Sequence, residues 1–137
     1  MATVLVVEDN PANMRLTTLL LRSAGHSVLR ALDAETGLKL ARGEKPDLIL
    51  IDIQLPGMDG FTATSILKEA PATASIPIIT VSALAMKSDE ERCQASGSDA
   101  YIVKPLRYKE LYTVMNHLLQ EPQPPANQTT PPGLPAT

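Results

Sequence analysis

The sequence holds one cysteine, no tryptophan and a single phenylalanine. Cys93 has no second thiol to pair with, so no internal disulfide can support the fold, which fits a reducing compartment. Aromatic residues make up only 3% of the chain, so its core must be built from Leu, Ile, Val and Ala. No apolar run approaches the ~20 residues of a membrane-spanning helix. The start, MATVLVVEDN, has no basic flank ahead of a signal-type apolar stretch, and the cytoplasm is the expected location. Nor is there an excess of positive charge. Twelve Lys and Arg stand against fifteen Asp and Glu, a net charge of -3, so neither nucleic acid nor a membrane surface is an expected partner. A length of 137 residues suits one domain with a substantial core rather than two.

What is present is an alternation. Short apolar runs occur at 4–7 (VLVV), 27–32 (SVLRAL), 47–52 (DLILID), 76–82 (IPIITVS) and 100–103 (AYIV). The first, third and fourth are continuously apolar and rich in β-branched residues, as expected of central parallel strands covered on both faces. Helical stretches separate them. Asn10-Pro11 is an N-cap and first position, and Gly25 the terminator, of a helix with an expected apolar stripe of Leu16, Leu19, Leu20 and Ala24. Asp33 caps a second helix over 34–43, with Leu38 and Ala41 inward and Gly43 near its end. A third helix is expected over about 60–70 and a fourth over about 85–96, closed by Gly97. A fifth spans about 107–120, with Leu111, Val114, Met115 and Leu118 on one face.

Five βα units predict an α/β fold: a flavodoxin-like, doubly wound, five-stranded parallel sheet of order 2-1-3-4-5 with five helices. This domain occupies residues 1–120. Residues 121–137 hold six of the twelve prolines and one charged side chain, and are expected to form a disordered Pro-rich C-terminal tail.

In such a sheet, ligands bind beyond the C-terminal strand ends. Glu8 and Asp9 end the first strand, Asp52 the third, Ser82 the fourth and Lys104 the fifth. Three carboxylates on neighbouring strands repel one another unless a cation or proton intervenes. Hard oxygen ligands in this number suit Mg²⁺, or Mn²⁺, while the absence of His and Cys from the strand ends argues against zinc. A flavin phosphate fits poorly, because the first loop is Glu-Asp-Asn-Pro, which repels an anion and lacks one N–H. A metal-bridged phosphoryl group fits better. Asp52 would be the nucleophile and phosphoacceptor, giving an aspartyl phosphate, with Lys104 and Ser82 each binding a phosphoryl oxygen.

Other polar residues have plainer roles. Asp59, in PGMDG, is a turn or helix-cap residue, and Gly57 and Gly60 supply backbone freedom around it. His26 and His117 lie off the rim. Asp89, Glu90 and Glu91 form a solvated helix face, and Cys93 is a packing residue. Tyr108 and Tyr112 stand four apart on one helical face.

These motifs together resemble the response-regulator receiver domain of two-component signalling. VLVVEDN, DLILIDIQLPGMDG, IITVSALAM and the closing Lys-Pro match in order and spacing over residues 3 to about 120. The resemblance is strongest to stand-alone receivers of the cell-division regulator type. It implies that Glu8 and Asp9 are the metal-binding acidic pair, Asp52 the phosphorylated aspartate, and Gln54 the donor of a backbone carbonyl to the metal. Ser82 takes the hydroxyl position and Lys104 the lysine position, with a cis peptide before Pro105. Tyr101 takes the aromatic switch position. With Tyr108 and Tyr112 it would belong to an output surface made by the fourth helix, fifth strand and fifth helix.

The implied function is a signalling switch. It receives phosphoryl from a phosphohistidine of a sensor histidine kinase or histidine phosphotransfer protein, and acts on a downstream protein target as a monomer or weak dimer. Self-phosphorylation and slow autodephosphorylation would be its only chemistry; it is not expected to be an enzyme proper. With no DNA-binding segment after residue 120, output by protein contact is expected. Two alternatives remain. One is a receiver cut from a larger hybrid kinase or multidomain regulator. The other is a metal-dependent aspartyl phosphatase. Such enzymes often carry a carboxylate two residues after the nucleophile, where this chain has Gln54, which cannot transfer protons. An apolar Leu84, two residues past Ser82, would further slow hydrolysis.

Overall fold

The computed structural model describes residues 2–83 and 87–120. The expected tail at 121–137 and Leu84 lie outside the described residues. The chain alternates strands and helices: β1 (Thr3–Val7), α1 (Pro11–Ser23), β2 (Ser27–Ala31), α2 (Ala34–Glu44), β3 (Leu48–Asp52), α3 (Gly60–Glu69), β4 (Ile78–Ser82), α4 (Lys87–Ser96), β5 (Ala100–Val103) and α5 (Tyr108–Gln120). All strand pairs are parallel and the order is β2-β1-β3-β4-β5, as predicted. β3 and β4 are buried along their whole lengths, so their apolar runs have helices on both sides.

Two apolar layers flank the sheet. One gathers Leu5, Val7, Ile49 and Ile51 with Leu38 and Ala41 of α2 and Ala63 and Leu67 of α3. The other gathers Val4, Val6, Leu50 and Val81 with Met14 and Leu21 of α1 and Leu111 and Met115 of α5. A small third cluster, Ile53, Phe61 and Cys93 with Tyr101 packed against it, lies beneath α4.

The helix starts follow their caps. The side chains of Asn10, Asp33 and Asp59 accept the backbone N–H groups of Asn13, Thr36 and Thr62 at 3.0, 2.7 and 2.8 Å. Two details depart from expectation. α2 runs one residue further than expected, with Gly43 near its end as anticipated, and the left-handed cap is Lys45 (φ 49°) rather than a glycine. The buried face of α1 is Met14, Thr17, Thr18 and Leu21, whereas Leu16, Leu19 and Ala24 are exposed. The leucines of TTLLLR cover more than half the helix circumference, so apolar periodicity alone does not choose a face. The face with two threonines packs on the sheet.

The strand register sets the rim. Val7 lies beside both Ala31 and Ile51, Asp52 beside Val81, and Ser82 beside Val103. The ladder runs on for one residue past the strands: Glu8 N–H donates to Ala31 O at 3.0 Å, and Lys104 N–H to Ser82 O at 2.7 Å. Glu8, Asp52, Ser82 and Lys104 therefore emerge at one level, on four different segments.

Candidate phosphoacceptor and metal site

Two of the three rim carboxylates are buried. Glu8 and Asp52 are almost fully enclosed, while Asp9 is exposed. One carboxylate oxygen from each of Glu8, Asp9 and Asp52 lies within 4.8 Å of the other two. The three oxygens are close enough to converge on one cation, and the donor set is entirely hard oxygen.

Lys104 compensates the buried charge. Its Nζ lies 2.8 Å from Asp52 Oδ2 and 3.0 Å from Glu8 Oε1. Burial disfavours the ammonium, but hydrogen bonds to Asp52 and Glu8 and the charges of both outweigh it and raise its pKa. Burial pushes the Glu8 carboxyl above its ordinary 4.5, against the opposing pull of the Asn10 N–H and Lys104.

Backbone donors hold the remaining oxygens. Gln54 N–H donates to Asp52 Oδ1 at 2.9 Å, and Asn10 N–H to Glu8 Oε2 at 3.1 Å. The first contact sets residue 54 against the Asp52 carboxylate. The second gives Asn10 two tasks, since its side chain also caps α1. The Lys104–Pro105 peptide bond is cis.

Ser82 is fully buried. A hydrogen bond links its side chain to Tyr101, whose phenol is pushed above its ordinary range by burial and pulled back by that bond. Tyr101 therefore sits between Ser82 and the Ile53–Phe61–Cys93 cluster. Tyr108 and Tyr112 turn elsewhere. The Tyr112 hydroxyl donates to Leu20 O of α1 at 2.7 Å, and the two rings pack edge to face with centroids 6.0 Å apart. Among the described residues, Tyr101 thus packs beside Cys93 of α4, whereas Tyr112 is tied to α1 and Tyr108 packs on Tyr112.

Sequence reasoning undervalued Gly60. Its φ is not positive, so freedom around the turn is not why glycine stands there; Gly57, at φ 75°, has that role. A Cβ on Gly60 would collide with the backbone carbonyl of Asp52 and come within 2.6 Å of Ile53 Cα. α3 begins directly against the segment that carries Asp52. Arg92 was also overlooked. Its guanidinium lies 4.2 Å from the Phe61 ring centroid and so ties α4 to α3. Asp59 is a helix cap, as expected. His26, which accepts the Ala2 N–H, lies beside the start of β2 at the opposite end of the sheet from the rim.

Comparison with known proteins agrees with this geometry. Residues 4–116 match the family model of the response regulator receiver domain. The chain is 46% identical over 103 residues to the polar-differentiation response regulator DivK of Brucella anthropi, covering 75% of this chain and 84% of that protein. Identity and coverage are the same for DivK of Brucella melitensis. Among solved structures, the receiver domain of a sensor histidine kinase from Pseudomonas aeruginosa superposes with a TM-score of 0.81 at 32% identity, covering 86% of this chain and 97% of that one. That structure carries a magnesium ion coordinated in its active-site cleft. The receiver domain of a Francisella response regulator gives a TM-score of 0.82 at 28% identity, covering 90% of this chain and 100% of that one.

Proposed function

Since the chain belongs to the response-regulator receiver family of two-component signalling, we propose that it stores a phosphoryl group on Asp52 as a reversible signal. The observation that carries this reading is the buried Asp52–Lys104–Glu8 cluster with Asp9 beside it. Glu8, Asp9, Asp52 and the backbone carbonyl of Gln54 would hold Mg²⁺, or Mn²⁺. The cation, when bound, supplies positive charge to an oxygen of the incoming phosphoryl group.

The chain's own residues do the rest. A carboxylate oxygen of Asp52 attacks phosphorus on a phosphohistidine of a sensor kinase or phosphotransfer protein. The P–N bond breaks, its electron pair stays on the donor imidazole, and a P–O bond forms on Asp52. Lys104 leaves its ion pairs to bind a second phosphoryl oxygen, and the Ser82 hydroxyl turns to donate to a third. That turn releases Tyr101, which shares its bond with Ser82. The Tyr101 ring and α4 then settle into a second arrangement, which a downstream protein reads on the α4–β5–α5 face. α4 suits this role. It buries only Cys93 and Ser96, so little apolar area holds it in place.

Gln54 cannot act as general acid or base, so the phosphorylated form is stored rather than turned over. The test is incubation of the full chain with a small phosphodonor and Mg²⁺, followed by intact mass. Wild type gains one phosphoryl group and Asp52→Asn gains none. Equal labelling of both, or of neither, removes the reading.

A further inference from the structure

A groove of about 510 Å³ runs along the outer side of α1, between that helix and the edge strand β2. Arg15, Thr18, Leu19 and Arg22 of α1 form one wall; Arg30 of β2 and Leu32 just beyond it form the other. Leu19 and Leu32, at 61% and 60% exposure, are the two most exposed large apolar side chains among the described residues. A lone exposed leucine is ordinary. Two on opposite walls of one groove are a patch with a shape.

The charges around that patch run against the rest of the molecule. The chain carries a net charge of -3, yet this groove gathers three arginines. None of them has a carboxylate within ion-pair distance among the described residues. Asp9 is the lone acid of the lining, and it belongs to the carboxylate cluster at the rim. Apolar anchors ringed by unpaired arginines are the composition of a protein interface.

We propose that this groove docks an acidic amphipathic helix of a partner protein, its apolar side chains seated on Leu19 and Leu32 and its carboxylates on Arg15, Arg22 and Arg30. A strand added to the open edge of β2 would lie in the plane of the sheet and leave Leu19 uncovered. A helix laid along the groove covers both leucines and meets all three cations. From Arg15 to Arg22 is about 10.5 Å of helix, so two to three turns of the partner suffice. The surface lies across the molecule from α4 and β5, so one copy can engage this partner and an output target together.

The test uses the full chain and three labelled peptides of ~18 residues, long enough to hold helix. The first is a Glu/Leu amphipathic helix, the second its Lys/Leu twin, and the third a Glu-rich helix without leucine. Fluorescence anisotropy should show binding of the Glu/Leu peptide alone, weakening as salt screens the pairs. R22E/R30E and L19S/L32S should each lower that affinity at least ~10-fold with unchanged melting, since surface substitutions alter stability little. Equal binding of the Lys/Leu twin, no binding of the Glu/Leu peptide up to ~1 mM, or unchanged affinity in R22E/R30E would each overturn the proposal. So would a mass that rises with the chain's own concentration and collapses in L19S/L32S, because a second copy would then be the occupant.

Discussion

At the scale of single residues, the site is an electrostatic balance in which Lys104 is the central weight. It holds two buried carboxylates, and Lys104→Met leaves both without a cation. Removing one partner of a fully buried pair costs about 3–5 kcal/mol; water reaches this rim, where Lys104 is 17% exposed, so about 2 kcal/mol is expected from urea unfolding. The cost depends on pH. Folding holds Glu8 above its ordinary 4.5, so its protonation favours the folded state. That contribution is complete below about pH 4.5 and is lost as the pH climbs through the raised value. The Lys104→Met deficit should therefore be larger at pH 7.5 than at pH 5; a deficit that grows on acidification would contradict this account. Gly60 is the second residue on which the site depends. Gly60→Ala drives a Cβ into the backbone at Asp52 and Ile53, which neither flexes nor rotates away. Overpacking of this kind costs about 1–3 kcal/mol, and displacement of Asp52 should slow labelling by a small phosphodonor.

Among the elements, α1 teaches most. Three of its four leucines pack less tightly on the sheet than its threonines do. Leu16 and Leu19 face water, Leu20 is half-buried, and only Leu21 is fully enclosed. Leu21→Ala should therefore cost about 2–5 kcal/mol in urea unfolding, while Leu16→Ser or Leu19→Ser should stay within about 0.5 kcal/mol of wild type. The reverse ranking would restore the face expected from the leucine pattern. Asn10 shows how one residue couples an element to the site. Its side chain starts α1 and its N–H holds Glu8, so the helix and the carboxylate are placed together. α4 is the contrasting case. It buries only Cys93 and Ser96, and Arg92 joins it to α3 through the Phe61 ring and Asp59.

For the whole molecule, the consequence is linkage between the rim and global stability. The three rim carboxylates converge only in the folded chain, so a cation that binds there binds the folded state alone. At a concentration 100 times the dissociation constant, that adds about 2.7 kcal/mol of stability. Melting temperature should accordingly rise with added Mg²⁺ in wild type and rise far less in Asp9→Asn. Asp9 is the variant of choice because it is exposed and its loss should leave the fold undisturbed. An equal rise in both proteins would place the cation elsewhere.

Much of this was legible from the chain alone. Continuous apolar runs of β-branched residues declare buried parallel strands, capping residues declare helix starts, and alternation of the two leaves few topologies. Strand ends then declare a rim, so Glu8, Asp9, Asp52, Ser82 and Lys104 group together on the sequence alone. What only the tertiary structure decided is which neighbours each residue has. Periodicity ranks the faces of a helix by composition, but packing chooses by fit, and for α1 it chose two threonines over two leucines. The direction of Tyr108 and Tyr112 was decided by the approach of α1 to α5, and the need for glycine at position 60 by the approach of α3 to β3. The first joins residues 92 apart in the chain; the second depends on how the short loop between β3 and α3 folds back on Asp52, and periodicity carries no record of either. Asp52 itself lies between the two cases. Its place at the end of a strand was written in the pattern DLILID; its buried pairing with a lysine fifty-two residues away required the fold.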